Sequence, residues 1–465
     1  MVTIPLGMED WQSPSENVSR LRLHNMYLLE NPASPDGISR VSRPTLDLFA
    51  EVGPGPIYGV WRQDATFNND WLVVSGNELH RFNPTAKAST VLGQVPGTDR
   101  PQFAGTTDRV IVVRNGTAYS TNGTTVTIVA FPDDIPPYEN MSPPVQSVAI
   151  LNSIFILTIK NTQRFYWINP GETDPDPLNF ASAERTPDPI ETVAVVSDEV
   201  WFIGTAGAEV WQPAIDPDLP FNRINGRVYN EGCYDRDTVV NTVSNNLPCL
   251  IWKTSVDTIV LAQGSVKRIS GGSVEEALGS ATNLRAWAFR TSKHDFYVLT
   301  SDQFTYVYDI TSDKWMRWDT YLRDNWLAHV GIQVGATPYS GSFTSNKLYK
   351  LVEGSDDDGL IVVREVSGIV PNPGKPVQCA SVAVRVNAGW SSSYDFYPNM
   401  ELRWSDDQGT TWSNYVQISL GNSGFYNADT IFRSLGLIYR PGRVFEFRFA
   451  ERSRFRLDYA IMNEV

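Results

Sequence analysis

The chain holds little with which to do redox, metal or nucleophilic chemistry: three cysteines and four histidines among 465 residues. Cys233, Cys249 and Cys379 form no close pair and no CxxC, so neither a disulfide framework nor a zinc site is indicated, and a reducing cytoplasm fits best. His24, His80, His294 and His329 are scattered, and HExxH and GxSxG are both missing, so the reading expects no metal, no cofactor and no catalytic residue. Positive charge is short as well. Against 52 acidic residues stand 38 lysines and arginines, a net −14, whereas a protein that grips phosphates relies on an excess of Lys and Arg. No apolar run approaches a membrane span; VAILNSIFILTI, Val148 to Ile159, is broken by Asn152 and Ser153 and reads as a hairpin. The opening MVTIPLGMEDWQ carries acidic residues where a signal peptide needs basic ones, so no export signal is expected.

What the chain does have is β-forming material. Aromatics make up 12% of residues, and 33 glycines and 30 prolines are dispersed along the whole length, which suits short pleated strands joined by tight turns. Apolar strand pairs begin near Val60, Phe103, Val145, Ile190, Thr238, Leu284 and Trp326, at intervals of 42 to 48 residues. Within them, Asn115-Gly116, Asn122-Gly123 and Ala206-Gly207 are turn signals between alternating apolar residues. That period is the length of a four-stranded propeller blade, and the spacing predicts an all-β fold with a seven-bladed β-propeller over residues 53–372. After PNPGKP the strands lengthen, and residues 373–465 read as a C-terminal β-sandwich. Residues 1–52, with SPSEN and ENPASPDG, lack periodicity and are expected to form an extended arm along another surface.

Three patterns could carry function. WSDDQGTTW places Ser405, Asp407, Gly409, Thr411 and Trp412 on the spacing of the Asp box found in sialidases, but each has a structural use in a hairpin: hydrogen bonding, positive φ and packing. A glycosidase needs two facing carboxylates. The acidic run Asp356, Asp357 and Asp358 sits in a Gly-flanked turn that reads as a solvated loop, and it lacks the ligand spacing of a calcium loop. In ERSRFRLDY, Arg452, Arg454 and Arg456 alternate, so on a strand their guanidinium groups share one face and are a candidate subunit or partner contact.

The middle of the chain resembles the tail-hub, nozzle or packaged DNA stabilisation proteins of short-tailed bacteriophages (podoviruses). The resemblance rests on HNMYLLEN followed by RPTLDLF, on LNFASAERTPDPI (Leu178 to Ile190), and on AEVWQPAIDPDLPFNRINGRVYNEGC (Ala208 to Cys233). It places Glu209, Trp211, Pro220, Phe221 and Gly232 as fold-determining positions. It implies a non-enzymatic virion protein, assembled in the bacterial cytoplasm into a homohexameric tube below the portal and its adaptor. Such a head-tail connector retains packaged DNA, conducts the double-stranded genome through its lumen during ejection, and meets a tail needle or tip and fibres or spikes. An acidic lumen would repel the phosphate backbone, in keeping with the net charge. Two other readings stay open on the residues alone: a sialidase-like propeller glycoside hydrolase acting on host surface glycans, from the Asp box, and a kelch-like interaction scaffold, from VYDITSDKWMRW.

Overall fold

The computed structural model describes residues 1–10, 21–132, 138, 141–185, 187–216, 219–387, 398–421 and 428–464, so the SPSEN stretch of the expected arm lies outside the described residues. Apolar residues alternate or run continuously for five to seven positions and are then interrupted by residues that tolerate positive φ, so the chain folds as antiparallel meanders. Asn115 (φ 47°) and Gly116 (φ 75°) close one hairpin, with Arg114 opposite Thr117, the geometry an Asn-Gly pair favours. Asn152 and Ser153 turn the Val148 to Ile159 segment back on itself, with Leu151 opposite Ile154.

Among the described residues, six four-stranded sheets stand separately as propeller blades. Five follow one another at 57–94, 102–128, 145–182, 190–229 and 240–268. The sixth combines Val330–Val334, Thr337–Gly341 and Lys347–Val352 with Thr45–Glu51 from the start of the chain, so its outer strand closes the ring. The repeat predicted seven blades. The remaining four-strand meander, Arg285–Arg290 through Lys314–Arg317, is not a separate sheet: Leu23–His24 joins it to Arg364–Pro371, and together they form part of a nine-stranded sheet.

That sheet continues through Gly442–Phe449, Asn399–Ser405 and Val416–Ser419, and so supplies one layer of the sandwich. The facing seven-stranded sheet contains Met26–Glu30, Ile38–Ser42, Arg456–Glu464, Val377–Asn387 and Ala428–Arg433. Residues from both, such as Leu28, Val384, Met400, Phe447 and Leu457, fill one core, and that core runs on into Trp287, Trp318 and Trp326. The indole N–H groups of Trp287 and Trp318 donate to the carbonyls of Ala328 (2.9 Å) and Met26 (3.1 Å), which allows their full burial.

The described part of the expected arm differs from the reading. Val2–Thr3 pairs with the last strand, Met26–Glu30 and Ile38–Ser42 form a hairpin inside the seven-stranded sheet, and Thr45–Glu51 belongs to a blade. Apart from the hairpin pairing itself, their partners lie hundreds of positions away, so a search for local repeats does not register them. Arg364–Pro371, which the repeat grouped with the propeller, pairs along its length with Gly442–Phe449 in the sandwich.

Candidate functional site

The first strands of successive blades surround a channel of about 550 Å³. Glycines let the wall close up: a Cβ on Gly59 would fall 2.4 Å from Pro101, and one on Gly331 would fall 2.3 Å from Trp287. One end carries a charged cluster built by the 3₁₀ turn Arg236–Thr238 and the residues before the second blade. Arg236 pairs with Asp99 at 2.7 Å and lies 3.5 Å from Asp237, while Arg100 donates to the carbonyls of Asp237 and Ala286. Burial pushes the Asp237 carboxyl up to about 6 despite the opposing pull of Arg236, and burial pushes the Arg100 guanidinium down. The cluster consists, among the described residues, of ion-paired arginines and aspartates. Among the described residues, no group of three or more His, Cys, Asp and Glu is placed to hold a metal ion.

The four histidines are all buried, in separate places. His24 meets Asp319 at 2.8 Å, His294 meets Asp309 at 2.8 Å and His80 meets Glu78 at 3.1 Å, while His329 is held well below its ordinary pKa, first by burial.

In the Asp-box hairpin Ser405, Asp407, Thr411 and Trp412 bond within their own turn. Ser405 Oγ donates to Asp407 Oδ1 (2.7 Å) and accepts from the Gly409 amide (2.7 Å), and Asp407 accepts from both the amide (2.8 Å) and the hydroxyl (2.6 Å) of Thr411. Gly409 adopts φ 98°, and Trp412 donates its indole N–H to the Gly409 carbonyl at 3.1 Å. The hydrogen bonds from Thr411, then that from Ser405, hold the Asp407 carboxyl down at about 2. Its neighbour Asp406 is held by Arg443 at 2.6 Å. This is a folded turn whose carboxylates are already engaged, at the edge of the sandwich and away from the channel.

The acidic run 356–358 departs from the solvated-loop reading. Asp357 is fully buried: Arg43 donates to it from Nη1 (3.0 Å) and Nη2 (2.6 Å), the Leu46 amide at 3.1 Å and Thr320 Oγ1 at 3.0 Å. Asp358 pairs with Lys347 at 2.6 Å. The arginine that buries Asp357 lies 314 positions earlier, which spacing in the acidic run cannot reveal.

Arg452, Arg454 and Arg456 do not alternate along one strand. Only Arg456 begins the final strand; the other two lie in the preceding turn, because the chain bends at Ser453. Arg452 donates to the Gly359 carbonyl (2.8 Å), Arg454 pairs with Glu353 (3.0 Å) and Arg456 with Asp458 (2.9 Å).

The fourth blade brings its motif residues together. Trp211 donates to Glu209 at 3.1 Å and packs its ring against Phe165 and Phe202, with centroids 5.5 and 5.7 Å away. Burial raises the Glu209 carboxyl. Phe221 is in the same core, the Pro220 carbonyl accepts from Ala214 at 2.8 Å, and a Cβ on Gly232 would lie 2.2 Å from the Thr205 carbonyl oxygen.

A family model described as Bacteriophage P22 Gp10, beta-propeller, matches residues 20–355, and a second, described as Bacteriophage P22 Gp10, beta-sandwich, matches residues 366–463. The chain belongs to the bacteriophage P22 Gp10 family. Membership makes it a phage structural protein of the virion, and the two matches fall in the order of the propeller and sandwich seen here. No curated protein matches by sequence. Among solved structures, YCF48 from Cyanidioschyzon merolae is 10% identical with a TM-score of 0.42, covering 66% of this chain and 98% of its own. The computationally designed Ika8 protein is 11% identical with a TM-score of 0.39, covering 74% of this chain and 99% of its own. Among the described residues of this Gp10-family protein, no helix is long and apolar enough to cross a membrane.

Proposed function

We propose that this Gp10-family protein is the tail hub, or nozzle, of a short-tailed phage. Six copies form a tube below the portal and adaptor, hold the packaged genome in the filled head, and conduct it outwards during ejection. The hub docks a tail needle or tip and fibres or spikes at its far side, and it acts without catalysis. The observation that carries this reading is the family match through both the propeller and the sandwich in one chain.

Two physical features support it. The net charge of −14 suits a conduit that double-stranded DNA passes without adhering, since adhesion draws on counterion release by Lys and Arg. The sheet and core shared by propeller and sandwich make the subunit stiff, as a ring under pressure requires. Asp407 spends both carboxylate oxygens on its own turn, so the Asp box offers the alternative glycosidase reading no free carboxylate.

The test is the mass of the purified protein in solution, alone and mixed with a portal carrying its adaptor ring, followed by negative-stain imaging. A six-fold tube seated on the portal is expected. A monomer indifferent to the portal overturns the proposal.

A further inference from the structure

Three of the four histidines face a carboxylate, which rewards protonation: His24 meets Asp319, His294 meets Asp309 and His80 meets Glu78. His329 faces none among the described residues. Its side chain is fully buried, its Nδ1 accepts the Phe343 amide hydrogen at 2.9 Å, and its Nε2 lies 3.4 Å from the Asn325 side-chain oxygen. An Nδ1 that accepts carries no proton of its own, so the ring is held in the neutral Nε2–H form. The charges that act on it are both cationic: Arg285, which opens the meander before it, and Arg323, in the turn that follows that meander. Burial first, and then these two guanidinium groups, hold the ring well below its ordinary pKa. Asp302 and Asp237 act on Arg285 from beyond it, Tyr349 lies near Arg323, and Tyr58 faces Phe343 from the first blade.

Phe343 belongs to the loop Ser342–Asn346, which fastens the last blade to the first. Ile57, at the start of the first blade, directs its amide at the carbonyls of Ser342 (2.9 Å) and Ser345 (3.1 Å). Val52 donates to the Asn346 carbonyl at 2.9 Å, and the Asn346 side chain donates to the Gly53 carbonyl at 3.0 Å. The Phe343 ring packs edge-on against Tyr58, centroids 5.2 Å apart, and the Arg285 guanidinium lies 4.2 Å from its centroid. The bond to His329 Nδ1 therefore anchors a loop on which closure of the propeller rests.

We propose that His329 is an acid-sensitive latch on the propeller ring: the neutral imidazole holds the loop Ser342–Asn346 against the first blade, and protonation releases it. A protonated ring carries N–H at both nitrogens, so its Nδ1–H would point at the Phe343 N–H, donor to donor, in a buried site beside two guanidinium groups. The ring takes the proton when the loop withdraws and water reaches it. The closed form excludes the proton, whereas the open form binds it at the ordinary value of about 6.5, so closure is fully favoured above that pH and weakens about tenfold per unit below it. Between pH 7.5 and pH 4.5 the open fraction rises about a hundredfold. Burial also lowers His80, but by less, because Glu78 opposes the shift.

The test is hydrogen–deuterium exchange of the full-length protein, read by mass spectrometry from pH 7.5 to pH 4.5, with each rate divided by the intrinsic exchange rate at that pH. Protection in peptides covering residues 342–346 and 52–58 should fall about a hundredfold, while the inner strand Val110–Arg114 keeps its own. In His329→Asn, whose side-chain oxygen still accepts the Phe343 amide but takes no proton, the same peptides should show protection independent of pH. Protection at 342–346 that ignores pH in the wild type, or that falls equally in His329→Asn, overturns the proposal. Should the variant not fold, the wild-type profile alone decides: a local loss that sets in near pH 6.5 supports the latch, and a loss that begins only near pH 4, where carboxylates titrate, or that spreads through every peptide at once, overturns it.

Discussion

Replacing Asp357 by Asn tests whether the N-terminal segment is bolted to the ring through one ion pair. Asp357 and Arg43 are both fully buried, and Arg43 also donates to Asn25 (2.8 Å) and the Asp319 carbonyl (2.6 Å), with its guanidinium 5.2 Å from the Trp326 ring centroid. One arginine therefore holds the hairpin, the linker after the sixth repeat unit and the turn after the last blade. Removing the carboxylate leaves that guanidinium buried without its counterion and deprives the Leu46 amide and Thr320 hydroxyl of their acceptor. Breaking one side of such a pair costs about 3–5 kcal/mol. With an unfolding entropy of about 2.1 cal/mol/K per residue, a chain of this length melting as one unit would lose about 4 °C. Differential scanning calorimetry at a fixed scan rate reads the shift, and limited proteolysis reads whether the first 50 or so residues become accessible. The double change Arg43→Met with Asp357→Leu should recover most of the loss, because a buried pair exchanged for apolar side chains is often neutral. An unchanged melting temperature in Asp357→Asn, or a double variant no better than the single one, would refute the reasoning.

Two further expectations concern pH. The depressed Asp407 pKa, about 2, means that its hairpin bonds stabilise the fold above the unfolded value of about 3.9 and are lost as pH falls towards 2. The urea-midpoint gap between wild type and Asp407→Asn should therefore shrink from pH 5 to pH 2; a constant gap would contradict the assignment. Asp237 has the opposite sign: its pKa, raised to about 6, favours the folded state below the unfolded value of about 3.9, and that advantage is lost as pH rises through 6. Asp237→Asn should gain on wild type in chemical denaturation between pH 4 and pH 7, and a gap independent of pH would contradict it.

Most of the strand material was legible in the sequence, because it rests on local signals. Strand starts expected near Val60, Phe103, Val145, Ile190, Thr238, Leu284 and Trp326 fall at or within four residues of those observed. The bonds among Ser405, Asp407, Gly409 and Trp412 are local ones, within eight positions of the chain. What escaped is non-local. Leu23–His24 is two residues long and carries no periodic signal, yet it joins a propeller meander to the sandwich. Asp357 looked solvated because its partner Arg43 is remote in sequence. The bend at Ser453 breaks the alternation that would have lined up three arginines.

The strand Thr45–Glu51 that completes the last blade also fixes the order of events during synthesis. It leaves the ribosome about 300 residues ahead of its partner, Lys347–Val352. Bringing those ends together costs about 5 kcal/mol of chain entropy by the logarithmic scaling of loop closure. Intervening blades stacked as they emerge would shorten that loop, so the early strand waits with an open edge until the ring can close on it. A nascent chain stopped before residue 347 would therefore expose that edge to other chains, which makes ring closure a step open to aggregation or chaperone capture.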